Sequence, residues 1–127
     1  MLFRSGYGLW ALEVRATGAF VGFAGLARQT FEAPFNPSVE VGWRLARPAW
    51  GHGYATEAAT ASITDFFDRT DVADIISMTA TTNVRSQAVM QRLGLTHDPA
   101  DDFDHPRVAD GPLKRHVLYR LRRADWS

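Results

Sequence analysis

The chain has 127 residues, 46% apolar and 22% charged, which is room for one globular domain and excludes a disordered tail or a fibre. It has no cysteine, so disulfide frameworks, thiolate zinc sites and cysteine nucleophiles are excluded. Its 14 Lys+Arg cancel its 14 Asp+Glu, which argues against nucleic-acid binding through a bulk field and leaves a local anion site open.

Residues 7–26 read as a β-hairpin: Trp10, Leu12 and Val14 alternate with Leu9, Ala11 and Glu13. Ala16, Thr17, Gly18 and Ala19 supply the turn, and an apolar run resumes from Phe20. Gly22 and Gly25 in the return strand predict a bulge or a close approach. Residues 28–38 carry Pro34, Asn36 and Pro37 and read as a loop. The next strand puts Val39, Val41, Trp43 and Leu45 on one face and Glu40, Gly42 and Arg44 on the other. Ala55, Ala58, Ala59, Ser62, Ile63, Phe66 and Phe67 then fall on one helical stripe. Asp74–Ala80 reads as a short, central strand. Residues 83–93 form a second helix, with Asn83 as N-cap, Val89, Met90 and Leu93 buried, and Gly94 just past its end. A polar, proline-rich loop over 98–112 and a last strand over 116–121 complete a β-β-β-α-β-α-(β)-β order. The expected fold class is α+β, a mixed sheet with helices packed on it, in a single domain over 1–127.

Apolar runs are broken every few residues, so no membrane span is expected. The first residues lack a signal peptide's basic start and apolar core, so the cytoplasm is the expected location.

Chemistry concentrates at the junction Trp50, Gly51, His52, Gly53, Tyr54 and Ala55, where a strand ends, a glycine loop turns and the long helix begins. The first-turn amides of a helix have no internal partner and carry a partial positive charge. Two glycines let that backbone approach a phosphate with no Cβ in the way. A plain glycine turn is the alternative. A P-loop is excluded because Tyr54 and Ala55 follow Gly53, and a dinucleotide fingerprint fails at Thr56.

This junction, following the strand that holds Glu40 and Trp43, resembles the acyl-CoA-binding core of the GNAT N-acetyltransferases. Within them it is most similar to the branch that includes the ribosomal-protein alanine acetyltransferases. Asn83, Val84, Arg85 and Ser86, running on to Gly94, resemble that branch's second signature. The resemblance implies the GNAT fold, acetyl-CoA as cosubstrate and a primary amine as acceptor. It implies that backbone amides from Trp50, Gly51, His52, Gly53, Tyr54 and Ala55 hold the pyrophosphate. The pantetheine arm would lie along Trp43, Arg44 and Leu45, with Asn83 touching it. Glu40 is the implied general base, a solvated glutamate or a partner of Arg44 being the alternatives. Ser86 offers a hydroxyl to the departing thiolate.

The sequence departs from the family pattern in three places. Pro48 stands where the loop usually opens with Gln or Arg, and Met90 stands where many relatives place a tyrosine acid. The chain also begins at what resembles the family's second strand, as an N-terminally truncated form would. The first hairpin strand would then be an apolar edge that Leu2 and Phe3 are too few to cover, and it would self-associate.

Elsewhere, Tyr119 is expected to be a core residue with its hydroxyl satisfied. His52, His97, His105 and His116 lie in different elements, so no metal site is expected. The acidic loop around Asp101 and Asp102 is expected to be ordered by its own side chains, although it could bind a cation or shape an acceptor pocket. Arg120, Arg122 and Arg123 could meet the 3′-phosphate of CoA or simply be solvated. An enzyme, a non-catalytic acyl-CoA-binding module or partner subunit, and a purely structural α+β domain all remain readings of this sequence.

Overall fold

The computed structural model describes residues 2–3, 8–13, 20–28, 33, 38–45 and 53–126. The chain divides into two compact units, Met1–Ala27 with Val41–Asp71, and Arg28–Glu40 with Val72–Ser127. Strand β4 (Val39–Leu45) passes from the second unit into the first between Glu40 and Val41.

In the first unit, β2 (Gly8–Glu13) and β3 (Phe20–Arg28) form the expected antiparallel hairpin, and β3 neighbours β4. The register slips between Leu12 and Glu13, where Gly22 stands opposite Leu12, which realises the expected bulge. Sequence reasoning missed β1 (Leu2–Phe3), which pairs Leu2 with Glu13 and Phe3 with Leu12. Among the described residues β1 thus covers the outer edge of β2 at Leu12 and Glu13 and no further.

Helix α1 (Tyr54–Arg69) buries Ala55, Ala58, Ala59, Ser62, Ile63, Phe66 and Phe67, the stripe read from the sequence. Small residues near its start and aromatic ones near its end fill that face. Ser62 stays buried because its hydroxyl donates to the Ala58 carbonyl at 2.8 Å. No helix of the described residues is long and apolar enough to cross a membrane.

The second unit is built on β5 (Asp74–Ala80). This strand pairs in parallel with β4 at Glu40 and Ile76, and antiparallel along its whole length with β8 (Arg115–Arg122). Ile75, Ile76 and Ser77 are buried in succession, as a strand covered on both faces requires. Two short strands, β6 (Thr96–His97) and β7 (Phe103–Asp104), also pair antiparallel with β8, and the parallel pairing of β4 with β5 makes the sheet mixed, as expected. Strand β7 and a 3₁₀ turn over Pro99–Asp101 give order to what the sequence suggested was a plain loop. Helix α2 (Val84–Arg92) packs on β5, with Val89, Met90 and Leu93 buried. Gly94 follows at φ +85°, the left-handed conformation that glycine adopts without strain.

Candidate active site

Glu40 lies on β4 in register with Ile76. It is half-buried, and no ion-pair partner for it is found among the described residues, so the alternative of a bridge to Arg44 has no support there. Loss of water raises its pKa from 4.5 to about 7. A carboxyl poised near neutrality can accept a proton and then release it.

That rise also fixes the sign of a stability effect. The unfolded chain ionises Glu40 near 4.5 and the folded chain only near 7. Its contribution to folding is therefore whole below about pH 4.5 and is lost as pH climbs to 7. Glu40→Gln, which cannot ionise, should be more stable than wild type above pH 7 by up to about 3 kcal/mol. Below pH 4.5 the two should match. Urea melts at pH 4.5 and pH 8 would check this, and an equal difference at both would contradict it.

At the start of α1, Gly53 is the N-cap residue, with φ +75° and ψ 8°, and as a glycine it brings no capping side chain of its own. Its carbonyl accepts from the Glu57 N–H at 3.0 Å. The Ala55 and Thr56 amides have no partner within the helix by its geometry. A Cβ built on Gly53 meets no described atom within 4 Å. The position thus combines a left-handed backbone, no described atom where a side chain would stand, and Ala55 and Thr56 amides without a partner inside the helix, which suits a backbone phosphate cradle. Of the other residues proposed for the cofactor, Tyr54 is half-buried, Trp43 is half-buried and Arg44 is exposed, while Leu45 ends β4. Trp50, Gly51 and His52 lie outside the described residues, as does Pro48.

In the second unit, Asn83 caps α2: its Oδ1 accepts from the Ser86 N–H at 3.1 Å. Capping occupies the oxygen of that amide and leaves its NH₂ as a donor, on an exposed residue. Ser86 is half-buried one turn into the helix, so Asn83 and Ser86 are brought together. Glu40 is not beside them. Its partner Ile76 lies four residues before the end of β5, roughly 13 Å of strand from the turn into α2. Met90 is 1% exposed, a core residue with no acid to offer.

The remaining candidates are spoken for. Tyr119 is buried, and its hydroxyl bonds Gln87 and Gln91 at 3.3 Å each, as expected of a core tyrosine. Arg120 pairs with Asp101, Arg122 with Asp125, and Arg123 donates to the Val72 carbonyl. Asp98 caps the 3₁₀ turn, Asp102 meets His97 at 2.7 Å and Asp104 faces Arg115, so the acidic loop is ordered by its own side chains. His105 and His116, distant in sequence, come together with ring centroids 4.9 Å apart. Burial and then the positive charges of His116, Arg107 and Lys114 hold His105 below its ordinary pKa.

The sequence profile described as an acetyltransferase (GNAT) domain matches residues 2–96. Over 125 residues the chain is 35% identical to the FsC-acetyl coenzyme A-N(2)-transacetylase of Aspergillus fumigatus, covering 95% of this chain and 52% of that protein. Its fold matches the ribosomal-protein-S5-alanine acetyltransferase of Vibrio fischeri with a TM-score of 0.75 at 18% identity, over 94% of this chain and 63% of that one. It also matches YncA of Salmonella typhimurium, solved with acetyl-CoA, with a TM-score of 0.72 at 18% identity, over 91% of this chain and 64% of that one. The mixed sheet and the two α-helices of the described residues are those of an acetyltransferase fold. The chain belongs to the GNAT acetyltransferase family. It spans about half the length of the curated relatives it matches. Ribosomal-protein alanine acetyltransferases are one of several kinds among its structural neighbours.

Proposed function

We propose that this chain carries the catalytic core of an N-acetyltransferase that moves acetyl from acetyl-CoA directly to a primary amine. The observation that carries the reading is Glu40, a half-buried carboxyl poised near pH 7 in a chain of this family. An amine arrives as an ammonium and must lose a proton before it can attack. Glu40 takes that proton, directly or through water. The amine nitrogen then bonds to the thioester carbonyl carbon, and the tetrahedral intermediate collapses with loss of the C–S bond. Backbone N–H groups along β4 stabilise the oxyanion. The second proton of the attacking nitrogen leaves as the amide forms and passes through water to the departing CoA thiolate, to which the Ser86 hydroxyl donates a hydrogen bond.

Residues 50–55 hold the pyrophosphate through backbone amides, the β4 segment Trp43, Arg44 and Leu45 carries the pantetheine arm, and the Asn83 NH₂ donates to it. The name of the Aspergillus relative places acetyl on an N(2) position of its substrate, which agrees with an amine acceptor here. Kinship with the ribosomal-protein alanine acetyltransferases would make a peptide N-terminus the acceptor, and the cytoplasm is the compartment we propose.

The buried Met90 favours a second reading, a non-catalytic acyl-CoA-binding module, because it leaves that helix position without an acid. Titration calorimetry with CoA tests what both readings share. Saturable binding at one site per chain is the expected result, and no heat at millimolar CoA would overturn both.

A further inference from the structure

We propose that Tyr119 is a positioning residue for the cofactor end of α2, acting through Gln87 on the turn that presents Asn83; this rests on the role of Asn83 proposed above. The turn between β5 and α2 is held from β8 by two routes. The Thr81 N–H donates to the Arg115 carbonyl at 2.9 Å. The Thr81 carbonyl accepts from Gln87 Nε2, also at 2.9 Å, and Gln87 Oε1 in turn accepts from the Tyr119 hydroxyl. One residue of the turn is thus fixed on both its amide and its carbonyl. The Asn83 N–H closes the turn onto the Ala80 carbonyl at 2.9 Å.

Tyr119 is itself fixed. It stands opposite Ser77 on β5, and the His97 ring stacks on it with centroids 5.0 Å apart and planes 16° apart. His97 Nε2 lies 2.7 Å from Asp102 Oδ1, which holds that ring in place. Gln91, one turn beyond Gln87, donates to the same tyrosine oxygen. A buried phenylalanine would fill this space as well, so the hydroxyl serves the α2 glutamines rather than the packing. Gln87 and Gln91 keep access to water, being half-buried and exposed. Losing the hydroxyl should therefore loosen the turn without unfolding the core.

A double-mutant cycle on the full chain, read by CoA calorimetry, tests this. Serine at position 83 keeps the cap oxygen and removes the amide donor. Tyr119→Phe and, as a second variant approaching from the helix side, Gln87→Met should each weaken CoA binding about fivefold, the worth of one neutral hydrogen bond. Both should retain a cooperative melt. If they act through Asn83, adding either to Asn83→Ser should weaken binding no further than Asn83→Ser alone. A full effect of Asn83→Ser with an additive or absent effect of Tyr119→Phe and Gln87→Met would overturn the positioning role only. No effect of Asn83→Ser would instead overturn the contact of Asn83 with the cofactor arm, and the positioning role with it.

Discussion

Glu40→Gln should slow acetyl transfer at pH 8 by roughly 100-fold, the lower end of what a positioned general base contributes. Glutamine keeps the size of the side chain and its hydrogen-bonding capacity but cannot take a proton. In the wild type, kcat/KM should rise with pH through an inflection near 7, because the folded carboxyl is protonated below about that value. The variant should lose that inflection. Its affinity for acetyl-CoA should stay within about twofold of wild type, since the carboxylate acts on the acceptor amine. The same substitution should stabilise the fold at pH 8, so slower turnover could not be blamed on unfolding. A wild-type profile from the variant would remove Glu40 from the chemistry.

Substitution of Gly53 should have the second largest effect, on cofactor binding. A side chain at Gly53 meets no described atom within 4 Å and would occupy the proposed path of the pyrophosphate. Gly53→Val should weaken CoA binding on the order of 100-fold, the worth of one or two charge-assisted hydrogen bonds. The φ of +75° adds a cost that packing does not, because valine at a left-handed position is strained by about 1–2 kcal/mol or more. Gly53→Asn separates the two effects, since asparagine tolerates that conformation. It should fold nearly as well as wild type and still bind CoA poorly. Undiminished affinity in Gly53→Asn, by calorimetry, would contradict a phosphate held by this backbone.

Much of this could be read from the chain because its long elements carry clear periods. The α1 stripe is one unbroken series from Ala55 to Phe67, and Asn83 and Gly94 punctuate α2 at both ends. β1 and β7 escaped notice because two residues have no period to detect, and only their partners define them. The brace on α2 escaped for a different reason. Its members Gln87, His97 and Tyr119 belong to separate elements, and only the sheet joins them. A signal was nonetheless present: two glutamines, Gln87 and Gln91, spaced one helical turn apart beside the buried stripe of Val89 and Met90. Glu40 was legible as a position on a strand face. The removal of water that tunes it was not, because that depends on what packs around it.

A chain that transfers acetyl to an amine differs from one that only holds acyl-CoA in a single product, the acetylated amine. The most direct measurement is mass spectrometry of a panel of peptide N-termini and small primary amines after incubation with acetyl-CoA and the chain, with free CoA titrated in parallel. The expected result is an acetylated amine formed in step with free thiol, at a rate that rises through neutral pH and falls with Glu40→Gln. Saturable CoA binding with no acetylated product from any amine would contradict it.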